Sequence, residues 1–147
     1  AELITQIAKE LKATEVISLE GVGGKGAPSK GVETIPTYYI RCGKTEVKVP
    51  GLSKLEEGII MGVTGALLLK KGLALTCFFA ETHSTLPDSL AAVAVVKIVN
   101  KYLNLGMDIK PLMKKAENFE GKLQELMRTT GKGPGTLKKK DGPGYVG

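Results

Sequence analysis

Apolar positions recur at three- and four-residue steps over the first eleven residues, at Leu3, Ile4, Ile7, Ala8 and Leu11, with Glu2, Lys9, Glu10 and Lys12 among them. This spacing predicts an amphipathic helix of about three turns. "EVISLEG", Glu15 to Gly21, follows after a short link and reads as a buried strand. Helix, tight link and strand is the order of an α/β layer. The stretch "GVGGKGAPSKGVETIP" is rich in Gly, Lys and Pro and reads as a loop. "TYYIRC" and "TEVKV" are β-rich and meet at Gly43-Lys44, where a Gly at the first central position suits a type II′ hairpin. Arg41, Lys44, Glu46 and Lys48 put one face of that hairpin in water.

Ser53 with Glu56 has the spacing of a capping box. Gly58, Gly62 and Gly65 then precede "ALLLKK", a pattern that predicts a glycine-marked loop entering a short helix that ends at Gly72. "LALTCFFAE" is uniformly apolar up to Glu81, as a central parallel strand covered on both faces would be. Ala91, Ala94, Val95, Ile98, Val99 and Tyr102 form a helical stripe, broadened by Ala92, Val93 and Val96 into a mostly buried helix. Asp88 is its predicted N-cap, and Asn104 with Gly106 mark its end. A last helix starts near Asp108. Its Leu112, Ala116, Phe119, Leu123 and Leu126 are spaced as the seam of a helix packed along another helix or a partner.

These elements predict an α/β layered domain over residues 1–127 with one β-hairpin. Residues 128–147 follow as a flexible basic tail, too poor in apolar residues to pack a core. The length of 147 residues suits one domain with a real core. The chain begins at Ala1, inside a helical pattern and without an initiator Met, so an upstream portion is expected.

Charge changes this picture only locally. From Arg128 onward, five cations against Asp141 carry +4 of the formal +6, which leaves the body nearly neutral. A basic face with stacking aromatics is missing, so nucleic acid is not an expected partner. No run of 18 apolar residues and no signal peptide is found, so no membrane association is expected and a cytoplasmic location is the default. Cys42 and Cys77 lie in apolar strand-like runs and are expected to pack as small hydrophobes.

Candidate chemistry concentrates where "CFFA" gives way to "ETHSTLPDS". Glu81, His83 and Asp88 would lie beyond the carboxyl end of a strand, where open α/β sheets bind ligands. They form a candidate ligand loop that could supply an acid and a base, or metal ligands. Against catalysis, the chain has a single histidine, no G-x-S-x-G elbow, and no histidine near either cysteine in sequence. No catalytic residue, metal or cofactor is therefore assigned. "GVGGKG" fits the dinucleotide pattern literally but opens no helix, which that mechanism requires. Gly58, Gly62 and Gly65 could expose amides to an anion, or allow close packing within the domain or against another subunit.

The stretch from Gly58 to Glu120 resembles the PAC2 family, archaeal relatives of eukaryotic proteasome assembly chaperones. The likeness rests on the glycine-marked segment Gly58 to Gly65 entering a Leu-rich helix, and on a buried strand ending in Ala80-Glu81-Thr82. Pro87-Asp88 with Ala91 and Ala92, and then Leu105, Gly106, Asp108 and Leu112, continue it, and the order of the earlier elements extends it over about residues 1–127. The resemblance implies a three-layer α/β/α fold with a mostly parallel sheet, akin to nucleoside phosphorylases and nucleosidases, without an established enzyme activity. It implies a homo-oligomer that binds proteasome core-particle subunits during assembly. It also implies an N-terminal strand and a glycine-containing loop ahead of the first helix. Some archaeal members end in a hydrophobic-Tyr-X tail that inserts between proteasome α-subunits. Here Tyr145, Val146 and Gly147 close the chain, with Gly144 where the hydrophobic residue would stand, so they are candidate docking residues on an imperfect motif. The alternative is a nucleosidase-like hydrolase or small-ligand-binding enzyme that uses the loop 81–88.

Overall fold

The computed structural model describes residues 1–24, 31–43, 49, 51–82 and 88–129. Along these run α1 (Glu2–Glu10), β1 (Val16–Gly23), a short 3-10 turn (Val32–Thr34), β2 (Thr37–Cys42) and β3 (Ser53–Lys54). Then come α2 (Gly62–Leu68), β4 (Leu75–Thr82), α3 (Ser89–Tyr102) and α4 (Lys110–Thr129). The strands form one sheet in the order β1-β4-β2-β3. β4 is parallel to β1 and antiparallel to β2, while β2 is parallel to β3.

The apolar run of β4 from Leu75 to Ala80, broken by Thr76, follows from its place. It has a strand on each edge and helices over each face, so every residue from Leu75 to Ala80 is buried. The two-residue pleat sends Cys77 and Phe79 to one side, where they pack with Leu67 of α2 and Ile4 of α1. Phe78 and Ala80 go to the other side and meet Ala91, Val93, Ala94 and Val95 of α3 and Ala116 of α4. A one-residue slip would exchange these two sets, so the register is strongly specified.

The sheet is mostly parallel, as expected, with β2 against β4 as its one antiparallel pairing among the described residues. Other expectations need correction. β1 continues two residues beyond Gly21, to Gly23. Ser53 caps no helix: it sits in β3 and pairs with Tyr38, and the helix that follows begins only at Gly62. Of the second strand of the expected hairpin, residues 45–49, all but Val49 lie outside the described residues, as do His83 and the tail residues Tyr145, Val146 and Gly147.

The amphipathic helices form where the periodicity put them, but their apolar faces are only partly covered. α1 has no buried residue, with Leu3 67% and Ile7 44% exposed, and its C-cap Leu11 is 75% exposed. α4 rests against the α3 layer through Met113 and Ala116, with Ile109 just ahead of it, and Glu120 bonds to Ser89 at the start of α3. Its predicted seam is split: Ala116 makes that contact and is buried, while Leu112, Phe119 and Leu126 are exposed. Among the described residues, no helix is long and apolar enough to cross a membrane.

Candidate functional site

The carboxyl ends of β1 and β4 are adjacent, since Gly23 pairs with Thr82. Beside them Val22, Gly23, Tyr38, Lys54, Glu56 and Glu81 help to line an open cleft of about 560 Å³. By strand alternation Glu81 lies on the side of Cys77 and Phe79, the α1–α2 face. There Tyr38 Oη donates to Glu81 Oε1 at 2.8 Å. This bond, with burial and the carboxylate's charge adding to it, holds the Tyr38 phenol above its usual range.

Asp88 belongs to the opposite layer. Its carboxylate accepts the backbone N–H of Ala91 at 2.9 Å and caps α3. A second carboxylate arrives from α4: Glu120 Oε1 accepts the Ser89 N–H at 3.1 Å and the Ser89 hydroxyl at 2.7 Å. Two of the first amides of α3 are thus satisfied by acids, which also face the positive end of the helix dipole. Glu81 and Asp88 are therefore divided between the two sides of the sheet and committed to different partners. Among the described residues, no group of three His, Cys, Asp or Glu side chains could hold a metal ion.

The glycine-marked segment has a packing geometry. A Cβ on Gly65 would stand 2.6 Å from the carbonyl oxygen of Ile60, so the incoming loop lies directly on α2. Gly62 opens that helix at φ +70, in the left-handed region that glycine adopts without strain. Thr64 on the same helix meets Ser18 of β1, hydroxyl to hydroxyl, at 2.6 Å. Around these contacts Ile59, Met61 and Val63 remain exposed, Ile59 by 85%.

Both cysteines are free, Cys77 buried and Cys42 half-buried. Burial pushes the Cys77 thiol up to about 12, helped by Cys42 and Glu20, so it is an inert core group.

A polar cluster that no local pattern announced lies on the α3 side of the sheet. Glu15 accepts hydrogen bonds from the hydroxyls of Tyr102 and Thr76 and lies 3.6 Å from Arg41 Nη2. Its members come from four separate parts of the chain. The only hint in sequence was an acid, a threonine and an arginine inside otherwise strand-like runs.

Helices on both faces of a mixed, mostly parallel sheet define an α/β layered protein whose strand-end acids serve hydrogen bonding and capping. The chain belongs to the PAC2 family, whose profile matches residues 1–127. It is 34% identical over 104 residues to an uncharacterized protein of Methanocaldococcus jannaschii, a match that covers 59% of this chain and 43% of that one. It superposes on PbaA of Pyrococcus furiosus, an archaeal homolog of proteasome-assembly chaperone, with a TM-score of 0.66 and 31% identity. That superposition covers 88% of this chain and 58% of PbaA, so this chain spans only about half the length of such relatives. Pyrococcus furiosus PbaB, an archaeal proteasome activator, shares the fold at a TM-score of 0.65 and 19% identity, over 85% of this chain and 55% of PbaB.

Proposed function

We propose that this chain is a non-enzymatic, cytoplasmic binding protein that acts as a homo-oligomer and docks onto proteasome core-particle subunits during their assembly. Family membership and the likeness to PbaA support the partner class. The observation that carries the binding role is the uncovered apolar surface on α1, on residues 58–65, and on the Leu112–Phe119 side of α4. Apolar surface of this extent on a small α/β domain is suited to association. Gly58, Gly62 and Gly65 serve this reading by shaping a close-packed loop that presents Ile59, Met61 and Val63. An anion cradle is disfavoured, because α2 has only seven residues. The layered architecture is of the kind used by nucleoside phosphorylases. With Glu81 bonded to Tyr38 and Asp88 spent as a cap, no specific observation favours hydrolysis. Tyr145, Val146 and Gly147 are retained as docking residues of the tail.

Native mass measurement of the protein alone and with archaeal proteasome α-subunits tests this function. The expected result is an oligomer that retains α-subunits and that Ile59→Asp dissociates without changing helix content. A monomer at micromolar concentration that retains no α-subunit would overturn it. Removal of residues 130–147 then separates the tail from the body as the docking element.

A further inference from the structure

A groove of about 520 Å³ lies on the α3 side of the sheet, away from the strand-end cleft. Ala94, Ile98 and Tyr102, at successive four-residue steps of α3, form one wall, and Val32 with Ile35 forms the other. Val49 and Leu52 also line it. The Tyr102 wall is fixed at both ends. Its ring meets Phe78 edge-on at a centroid distance of 5.1 Å, and its hydroxyl is bonded to Glu15.

Two lysines one helical turn apart stand at the rim and differ in state. Lys97 is paired with Glu33. Lys101 has no carboxylate partner among the described residues. Its ammonium lies over Gly51, at 3.5 Å from where a Cβ would stand, and the φ of +80 at that glycine keeps the position open. A cation without a carboxylate partner among the described residues thus stands at the mouth of an apolar groove, an arrangement that selects a ligand with one anionic end and an apolar body. With Lys97 taken up by Glu33, a single cation remains to meet an anion there, which matches a monocarboxylate better than a phosphate or a dicarboxylate. The groove is open along one side. A small free acid would stay half hydrated there, whereas a polypeptide can bury its last side chain and continue outward.

We propose that this groove binds the carboxyl-terminal residue of a partner polypeptide, with an aliphatic or aromatic last side chain in the groove and the terminal carboxylate on Lys101. This site stands independently of the proteasome reading, and its test contains no proteasome component. The probes are N-acetyl-Ala-Ala-Ala-Leu as free acid and as C-terminal amide, together with 3-phenylpropionate, titrated into the full chain and followed by amide NMR shifts. The free acid should shift Gly51, Leu52, Ile98 and Lys101. The amide should bind at least tenfold more weakly, about 1.4 kcal/mol, and so should 3-phenylpropionate. Lys101→Met should reduce the free acid to the level of the amide while leaving the melting temperature unchanged, and Lys101→Gln serves if that variant misfolds. Lys71→Met should leave the binding as it is. Equal affinity for acid and amide, shifts confined to other surfaces, or no shift at millimolar peptide would overturn the proposal. Equal affinity for 3-phenylpropionate would overturn the polypeptide as occupant.

Discussion

Glu15 and Tyr102, 87 residues apart, are joined through both carboxylate oxygens, with the Tyr102 hydroxyl 3.0 Å from Oε1 and 2.9 Å from Oε2. The same carboxylate receives Thr76 of β4 and faces Arg41 of β2. One acid therefore ties the link after α1 to two strands and to the end of α3. Glu15 is partly exposed, so its ion pair with Arg41 contributes little, and the hydroxyl bonds carry most of its effect. Glu15→Ala leaves two hydroxyls without their acceptor and should cost about 2 kcal/mol, a fall of roughly 6–10 °C in melting temperature. Tyr102→Phe should cost about half as much. A Glu15→Ala variant that melts within 2 °C of the parent would show the cluster to be inert.

Alkaline pH should reveal two tyrosines. Tyr38 is held above the usual phenol range chiefly by its bond to Glu81, and Tyr102 chiefly by burial and then by its bond to Glu15. A pKa raised on folding gives stability that is complete below the unfolded value of about 10 and is lost as pH climbs through the folded values. The urea midpoint should therefore fall above about pH 10 through these two groups. Replacing both with Phe should make that decline shallower, and an identical slope in the double variant would contradict the assignment.

The start of α3 carries two acids on separate amides, Asp88 on Ala91 and Glu120 on Ser89. Asp88→Ala and Glu120→Ala should each destabilise by about 1 kcal/mol. Because the two acids face the same helix end on amides two residues apart, the double variant should depart from the sum by about 0.5 kcal/mol or more. Loss of Glu120 should also free α4, seen as faster amide exchange near Ala116. Protected exchange there would argue that packing alone holds the helix.

Gly65 is the tightest contact in the glycine-marked segment. Gly65→Ala must push the Ile60 carbonyl away and should cost about 1–3 kcal/mol, with signals of residues 58–61 shifting first in NMR spectra. Gly62→Ala, strained by its positive φ, should cost about 1 kcal/mol. A Gly65→Ala variant as stable as the parent would mean that the loop does not lie on α2.

Where the signal was local, the chain was readable. The stripe from Ala91 to Tyr102 specified α3, Asp88 its cap, and the apolar run its neighbour β4. The glycines at 58, 62 and 65 marked the approach to a short helix, but Gly62 and Gly65 fall inside α2, which ends at Leu68 and not at Gly72. Ser53 misled, because a serine followed three residues later by a glutamate looks the same whether a helix or a strand comes next. Pairing with Tyr38 decided for the strand.

The sequence by itself determined the longer elements and which stripe of each helix is apolar, because 3.6- and 2-residue periods are written into neighbouring positions. Only the tertiary structure decided what covers each stripe. It turned the Met113–Ala116–Glu120 side of α4 toward α3 and left Leu112 and Phe119 in the open. It set β2 antiparallel to β4, divided Glu81 from Asp88 across the sheet, and gathered Glu15, Arg41, Thr76 and Tyr102 into one cluster. Those outcomes depend on contacts between residues tens of positions apart, and hydrophobic periodicity carries no information about such partners.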